Sequence, residues 1–252
     1  MTTYTVALPK GGSSKTATAA EIAWYLAACG RRVLAIDLDQ QGNLTTRLGI
    51  SRDTEVDATA ADVLTGEADV DRAAVPAGTA PGVWVVAGTH DLTRVEAAPP
   101  ADLVTSLRDH LPTVHGWDDI VIDTPPSITG LSLAGLAAAD VVVAPVASAA
   151  ESYDQLGRLE RVLTAQLGRR VRPGLRIDWV VPALYDARRL LDREILELLG
   201  EHYPGRVTLP IREAVAVKDA YTAGMTISAY APTSAVAGDC RRVMEQITGM
   251  TP

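Results

Sequence analysis

The chain has 252 residues, 47% hydrophobic content and a formal net charge of −8. That composition is ample for a buried core and excludes a disordered or collagen-like chain. Two cysteines, Cys29 and Cys240, lack C-x-x-C spacing; they exclude a disulfide scaffold and are expected as buried, inert thiols in a reducing cytosol.

Apolar runs alternate with helical patterns almost throughout, the rhythm of a parallel sheet covered on both faces. The N-terminus runs directly into a strand, so no secretory signal is expected. Strands are predicted near 3–8, 33–38, 83–87, 119–123, 140–146, 176–182 and 206–210. Helices are predicted near 15–29, 59–66, 101–112, 130–138, 152–167, 189–201, 213–222 and 234–247. The apolar stretch from Leu131 to Ala150 is interrupted by Asp140 and Pro145, so it reads as a helix and a buried strand instead of a membrane span. Residues 51–100, rich in proline and glycine, are expected to decorate the sheet edge. The fold class is α/β, a doubly wound, mostly parallel sheet with helices on both faces, in a single domain over 1–252.

The stretch Pro9-Lys-Gly-Gly-Ser-Ser-Lys-Thr16 joins the first strand to an alanine-rich helix. Consecutive glycines let backbone N–H groups turn around a polyphosphate, Lys15 reaches the β and γ phosphates, and the Thr16 hydroxyl ligates Mg²⁺. The helix then points its positive end at the phosphates. Only three lysines stand beside twenty arginines, yet Lys10 and Lys15 both lie here. A compact ammonium suits a crowded cradle better than a planar fork. In the general pattern G-x-x-x-x-G-K-[ST], Pro9 and Ser14 stand where glycine is usual.

Val33 to Asp39 is a buried strand ending in two aspartates at i and i+2, so Asp37 and Asp39 leave on the same side, toward the crevice where doubly wound sheets bind ligands. Ile120 to Asp123 is an apolar strand ending in a carboxylate before Thr124-Pro125-Pro126; an acid there can hold Mg²⁺ through water. Together these strand ends specify a nucleoside triphosphatase with P-loop architecture.

The chain resembles the ParA/Soj branch of the deviant Walker ATPases, which also includes MinD. Lys10 to Thr16 match the family's K-G-G-x-x-K-[ST]. Asp37 to Asn43 match D-x-D-P-Q-G-N with Gln40 in place of proline, and Val121 to Pro126 match I-I-D-x-P-P. Similarity continues through Ala138 to Asp140, Pro145, Tyr185 to Arg188, and Asp219-Ala220 with Gly224. The resemblance implies an ATPase whose slow, partner-stimulated hydrolysis needs ATP and Mg²⁺. It implies an ATP-dependent homodimer in which Lys10 crosses to the partner's phosphates, beside a cradle formed by Gly11, Gly12, Ser13, Ser14, Lys15, Thr16 and Ala17. Thr16, Asp37 and Asp123 then serve the metal, Asp39 the attacking water, and Lys10 and Lys15 complete the catalytic set. The adenine is expected near Pro182, Pro210 and Arg212.

The family also implies sequence-independent DNA binding through the C-terminal third. Residues 1–157 carry 9 basic and 20 acidic side chains, whereas 158–252 carry 14 basic and 11 acidic. The DNA candidates are Arg188, Arg189, Arg193, Arg206, Lys218, Arg241 and Arg242. A second cluster comprises Arg158, Arg161, Arg169, Arg170, Arg172 and Arg176. The expected function is plasmid or chromosome partition with a ParB-type centromere-binding partner, in a cytoplasmic, nucleoid-associated protein. The alternatives are a ParA-like cargo-positioning ATPase and a MinD-like membrane switch; the uncharged tail from Gln246 to Pro252 argues against a membrane anchor. His90, His110, His115 and His202 are expected at the surface or in structural roles.

Overall fold

The computed structural model describes residues 1–51, 54–147 and 150–252, and the side chains of all of these except 150, 151, 152 and 170. Its strands are β1 (Thr2–Val6), β2 (Val33–Asp37), β3 (Ala74–Pro76), β4 (Val83–Val86), β5 (Asp119–Asp123), β6 (Val141–Ala147) and β7 (Trp179–Ala183). Among the described residues they form one sheet in the order β3-β4-β2-β5-β1-β6-β7, parallel except for β3. The helices are α1 (Lys15–Ala28), α2 (Asn43–Arg47), α3 (Ala60–Thr65), α4 (Val70–Ala73), α5 (Leu92–Ala97), α6 (Leu103–His110), α7 (Gly130–Ala138), α8 (Ala150–Arg161), α9 (Gly168–Arg170), α10 (Leu190–His202), α11 (Ala216–Thr222), α12 (Ile227–Tyr230) and α13 (Ala235–Thr248). A π-helical turn, Val162–Leu167, joins α8 to α9.

Strand periodicity sorts the core into two faces. Val33 and Ala35 of β2 pack with Tyr4, Val6 and Val121 under α1 and α13. Leu34 and Ile36 point the other way, with Ile120 and Ile122, onto α3, α5, α6 and α7. Val142, Ala144 and Val180 cover that same side farther along, under α8 and α10. Among the described residues no helix is long and apolar enough to cross a membrane.

Two expectations need correction. Residues 206–210 are not a strand: Val207 makes an isolated bridge to Val180. The cause is a pair of prolines. Val180 donates to the Arg206 carbonyl and accepts from Thr208, but the next rung would need N–H groups that Pro182 and Pro210 lack. The region 51–100 lies at the sheet edge as expected; it supplies an antiparallel edge strand, β3, paired with β4, and the short helices α4 and α5, which their brevity hid from periodicity. Cys29 is only half-buried, whereas Cys240 is buried, its thiol pushed well up by burial.

The amino ends of the strands are closed by charge pairing. Arg31 Nε meets Asp119 at 2.7 Å, Arg172 meets Asp140 at 2.6 Å, and Arg176 meets Asp178 at 3.2 Å. Arg32 lies over Trp84 and Trp117, 5.2 and 5.3 Å from their ring centroids, an arrangement favoured by the ring quadrupoles.

Candidate functional site

At the opposite end, β2, β5 and β1 are neighbours in register, with Asp37 and Val6 both level with Asp123. The strand order therefore brings the three sequence motifs to one crevice. The loop 9–14 turns from β1 into α1 with Gly12 at φ 70° and Ser14 at φ 69°. Ser14 thus takes a left-handed conformation that disfavours a Cβ. A Cβ added to Gly11 or Gly12 would meet nothing within 4 Å, so the cradle is open on its outer side. Lys15 is buried; its Nζ donates to the Lys10 carbonyl at 2.8 Å, as does Ser13 Oγ at 3.1 Å. Burial lowers the Lys15 pKa, opposed by the charges of Asp123 and Asp39.

The carboxylates differ in what they touch. Asp37 is fully committed: Oδ2 accepts from the Thr45 N–H at 2.9 Å and hydroxyl at 2.8 Å, and Oδ1 from the Asp39 N–H at 3.1 Å. Thr45 Oγ1 in turn accepts from the Gly88 N–H at 3.1 Å. A Cβ on Gly88 would fall 2.7 Å from Asp37 Cγ, so only glycine allows β4 to approach this closely. Burial pushes Asp37 up to about 6 despite those donors. Asp39 accepts from the Gln41 N–H at 3.0 Å and borders the cavity at the loop. Both Asp123 oxygens are buried without a hydrogen bond of normal geometry among the described residues. Its proton affinity is raised well above the ordinary carboxylate range, first by burial and then by Asp37, while the Thr16 hydroxyl and Lys15 oppose the rise. A buried acid with no hydrogen bond of normal geometry, beside a hydroxyl and a phosphate-type loop, fits a hydrated divalent cation.

The loop cavity, about 480 Å³, is lined by Gly11 to Ala17, Asp39, Gln41, Asn43, Arg47, Pro126, Val217 and Tyr221. A smaller slot of about 40 Å³ lies behind it, between Ser14, Ala17 and Thr18 on one side and Leu184, Ile211 and Arg212 on the other. The Arg212 guanidinium is held by Asp239 at 2.5 and 2.9 Å. Pro210 lines a neighbouring cavity of about 800 Å³, and Pro182 is buried in β7 and lines none of these spaces. Cys240 borders the slot.

Sequence reasoning missed Thr45, Gly88, Glu21, Arg47 and Tyr221. Glu21 is a buried carboxylate on α1 that accepts from the Ile227 N–H and the Ser228 hydroxyl, each at 2.6 Å, and so ties the loop helix to α12. Only its place on the buried face of an alanine-rich helix could have signalled it. Arg47 and Tyr221 lie far apart in sequence and carry no local signal.

The basic candidates are divided. Arg188, Arg189 and Lys218 border the 800 Å³ cavity, with Arg188 paired to Asp186 at 2.8 Å and Arg189 to Glu213 at 2.9 Å. Arg242 shares Asp239 with Arg212, and Arg241 reaches the Pro232 carbonyl at 3.5 Å. Arg193 and Lys218 are exposed. Arg206 bonds the Ile177 carbonyl just before β7, away from the others. In the second cluster Arg158, Arg161 and Arg169 are exposed, Arg172 and Arg176 are paired, and the Arg170 side chain lies outside the described residues. All four histidines are exposed.

Comparison with known proteins agrees with this geometry. A family profile described as AAA domain matches residues 1–177. The chromosome partitioning protein ParA of Caulobacter vibrioides is 37% identical over 207 residues, covering 80% of this chain and 76% of that protein. The chromosome-partitioning ATPase Soj of Thermus thermophilus is 36% identical over 243 residues, covering 94% and 92%. Among solved structures, cobyrinic acid a,c-diamide synthase from Mycobacterium smegmatis, with a bound ATP analogue and magnesium, superposes at TM-score 0.78 with 28% identity, covering 99% of this chain and 97% of that one. With the loop, the paired aspartates and Asp123 assembled on adjacent strands, the chain belongs to the ParA/Soj family of P-loop ATPases.

Proposed function

We propose that this chain is an ATP-dependent, dimerising ATPase that binds DNA without reading its sequence and drives plasmid or chromosome partition with a ParB-type partner. The observation that carries the reading is the placement of a buried Asp123 carboxylate, its oxygens in no hydrogen bond of normal geometry, at the Lys15 and Thr16 end of an open glycine cradle. When bound, ATP supplies the transferable phosphoryl group and Mg²⁺ offsets its charge. Lys15 and the N–H groups from Gly11 to Ala17 bind the phosphates. Thr16 and Asp123 hold the metal and its water shell. Asp37, already engaged by Thr45, fixes the loop that carries Asp39 and reaches the metal shell only through its neighbours. Asp39, at the cavity wall, orients the attacking water.

Lys10 is assigned to the partner's phosphates across the dimer, where two ammonium groups offset the charge of two triphosphates. The DNA face is assigned to Arg188, Arg189, Arg193, Lys218, Arg241 and Arg242. The pair of Arg189 with Glu213 is solvent-exposed and weak enough to yield to phosphates.

Sedimentation and DNA binding test the reading together. The wild type is expected to dimerise and bind DNA of any sequence with ATP but not ADP, with affinity falling steeply with salt. Lys10→Ala is expected to retain nucleotide while losing both dimer and DNA. ATP-dependent dimers of Lys10→Ala would refute the crossing lysine, and a wild-type dimer with no DNA affinity at low salt would refute partition.

A further inference from the structure

Arg47 closes α2 in an unusual place for a cation. It borders both the loop cavity and the slot behind it, and Ser14, Ala17 and Val217 are the other residues shared by the two. These four therefore form the neck between the spaces. The guanidinium lies over the Tyr221 ring, 4.7 Å from its centroid, and the Tyr221 hydroxyl donates to Asn43 Oδ1 at 2.7 Å. Tyr221 thus fixes Arg47 from one side and tethers α11 to the start of α2. Burial lowers the proton affinity of Arg47, with Glu21, Tyr221 and Asp123 opposing. Among the described residues no carboxylate forms an ion pair with it. A half-buried guanidinium in no ion pair is left with donors that an anion at the neck could engage.

We infer that Arg47 is a nucleotide-binding residue, its guanidinium meeting the phosphate nearest the ribose at the neck between loop cavity and slot. The inference rests on the ATP site proposed above. With the terminal phosphates against Lys15 and the metal-side acids, and the base directed to the slot, the part of the nucleotide that passes Ser14, Ala17 and Arg47 is the α-phosphate and sugar. A planar fork held by stacking can engage two phosphate oxygens at once. Because ATP and ADP share that phosphate, Arg47 should bind both equally, unlike a group directed at the γ-phosphate.

Fluorescence titration with N-methylanthraniloyl ATP and ADP in the presence of Mg²⁺ tests this. Arg47→Met, which keeps the stem without the charge, should weaken both nucleotides by the same factor, about tenfold, a change of about 1.4 kcal/mol. Arg47→Lys should fall between, and Tyr221→Leu should produce a smaller loss by freeing the guanidinium. Unchanged affinity in Arg47→Met would overturn the assignment, and a loss confined to ATP would overturn its placement at the neck. Independently of folding of any variant, ADP should protect Arg47 of the wild type from phenylglyoxal, read by peptide mass spectrometry, and adenosine should not. Equal modification with and without ADP would also overturn it. A wild type that binds neither nucleotide would overturn the ATP site itself, and this role with it.

Discussion

Asp119 and Asp123 begin and end the same strand, β5, and neither is exposed to solvent. Asp119 is satisfied within the fold, with Arg31 Nε at 2.7 Å and the Thr2 N–H at 3.3 Å. Asp123 has neither oxygen in a normal hydrogen bond. The same residue type on the same backbone is thus structural at one end and incomplete at the other. Burial of a charge costs several kcal/mol unless it is paired, so the fold tolerates Asp123 only because its proton or a ligand completes it. The contrast extends along the sheet. The amino end pairs Asp140 and Asp178 with arginines, whereas the carboxyl end brings Lys15 and Asp39 to the wall of an open cavity with Asp37 and Asp123 buried beneath.

The largest expected effect belongs to Lys15. Lys15→Ala should abolish nucleotide binding, a loss of several kcal/mol, while the unfolding midpoint of the nucleotide-free protein stays near that of the wild type. Calorimetric titration showing wild-type ATP affinity would end the assignment of a phosphate cradle.

Removing charge at each end of β5 should act in opposite directions. Asp119→Asn breaks a pair with a partly exposed arginine and should destabilise by about 2 kcal/mol. Asp123→Asn removes an unpartnered buried carboxylate and should stabilise the nucleotide-free chain by about 1–2 kcal/mol, at the expense of Mg²⁺-dependent nucleotide binding. Chemical denaturation in which both variants move the same way would erase the distinction between the two ends.

Acid–base linkage sharpens the same contrast. Asp37 is pushed up to about 6 by burial, so between the ordinary carboxylate range near 4 and that value the folded chain holds a proton that the unfolded chain releases. Its contribution to stability is present below the window and is lost as pH rises through it. Melting of the nucleotide-free protein should therefore show a decline from pH 4.5 to 6.5 that is shallower in Asp37→Asn. An equal slope in the two proteins would place the linked proton elsewhere.

The smallest effect concerns Ser14, whose φ of 69° suits glycine. Ser14→Gly should relieve about 0.5–1 kcal/mol, or roughly 1–3 °C in a chain of this size. A lower melting temperature would show that the serine side chain contributes more than its backbone costs.

Most of the sheet was legible because buried parallel strands are short apolar runs, and the carboxyl ends of β1, β2 and β5 carry their motifs in sequence. Proline defeated the reading at 206–210, where the apolar run is real but Pro182 and Pro210 withhold the next rung. The loop and its acids were legible as residues, not as roles. Nothing local distinguishes Asp37, engaged by Thr45, from Asp123, whose oxygens meet no hydrogen bond of normal geometry. Arg212 was legible as a residue near the carboxyl end of β7, but not its partner: Asp239, which holds it, comes from α13. Arg47 and Tyr221 stayed hidden for the same reason: their contact exists only after α2 and α11 are folded together.

The tryptophans offer a practical consequence. Trp84 and Trp117 are enclosed with Arg32 at the closed end, Trp179 opens β7, and Trp24 lies about 13 Å along α1 from Lys15 by helical rise. No indole borders the loop cavity or the slot. Intrinsic emission excited at the indole band should therefore monitor unfolding with little interference from nucleotide, an internal optical gauge separate from any dye at the ligand.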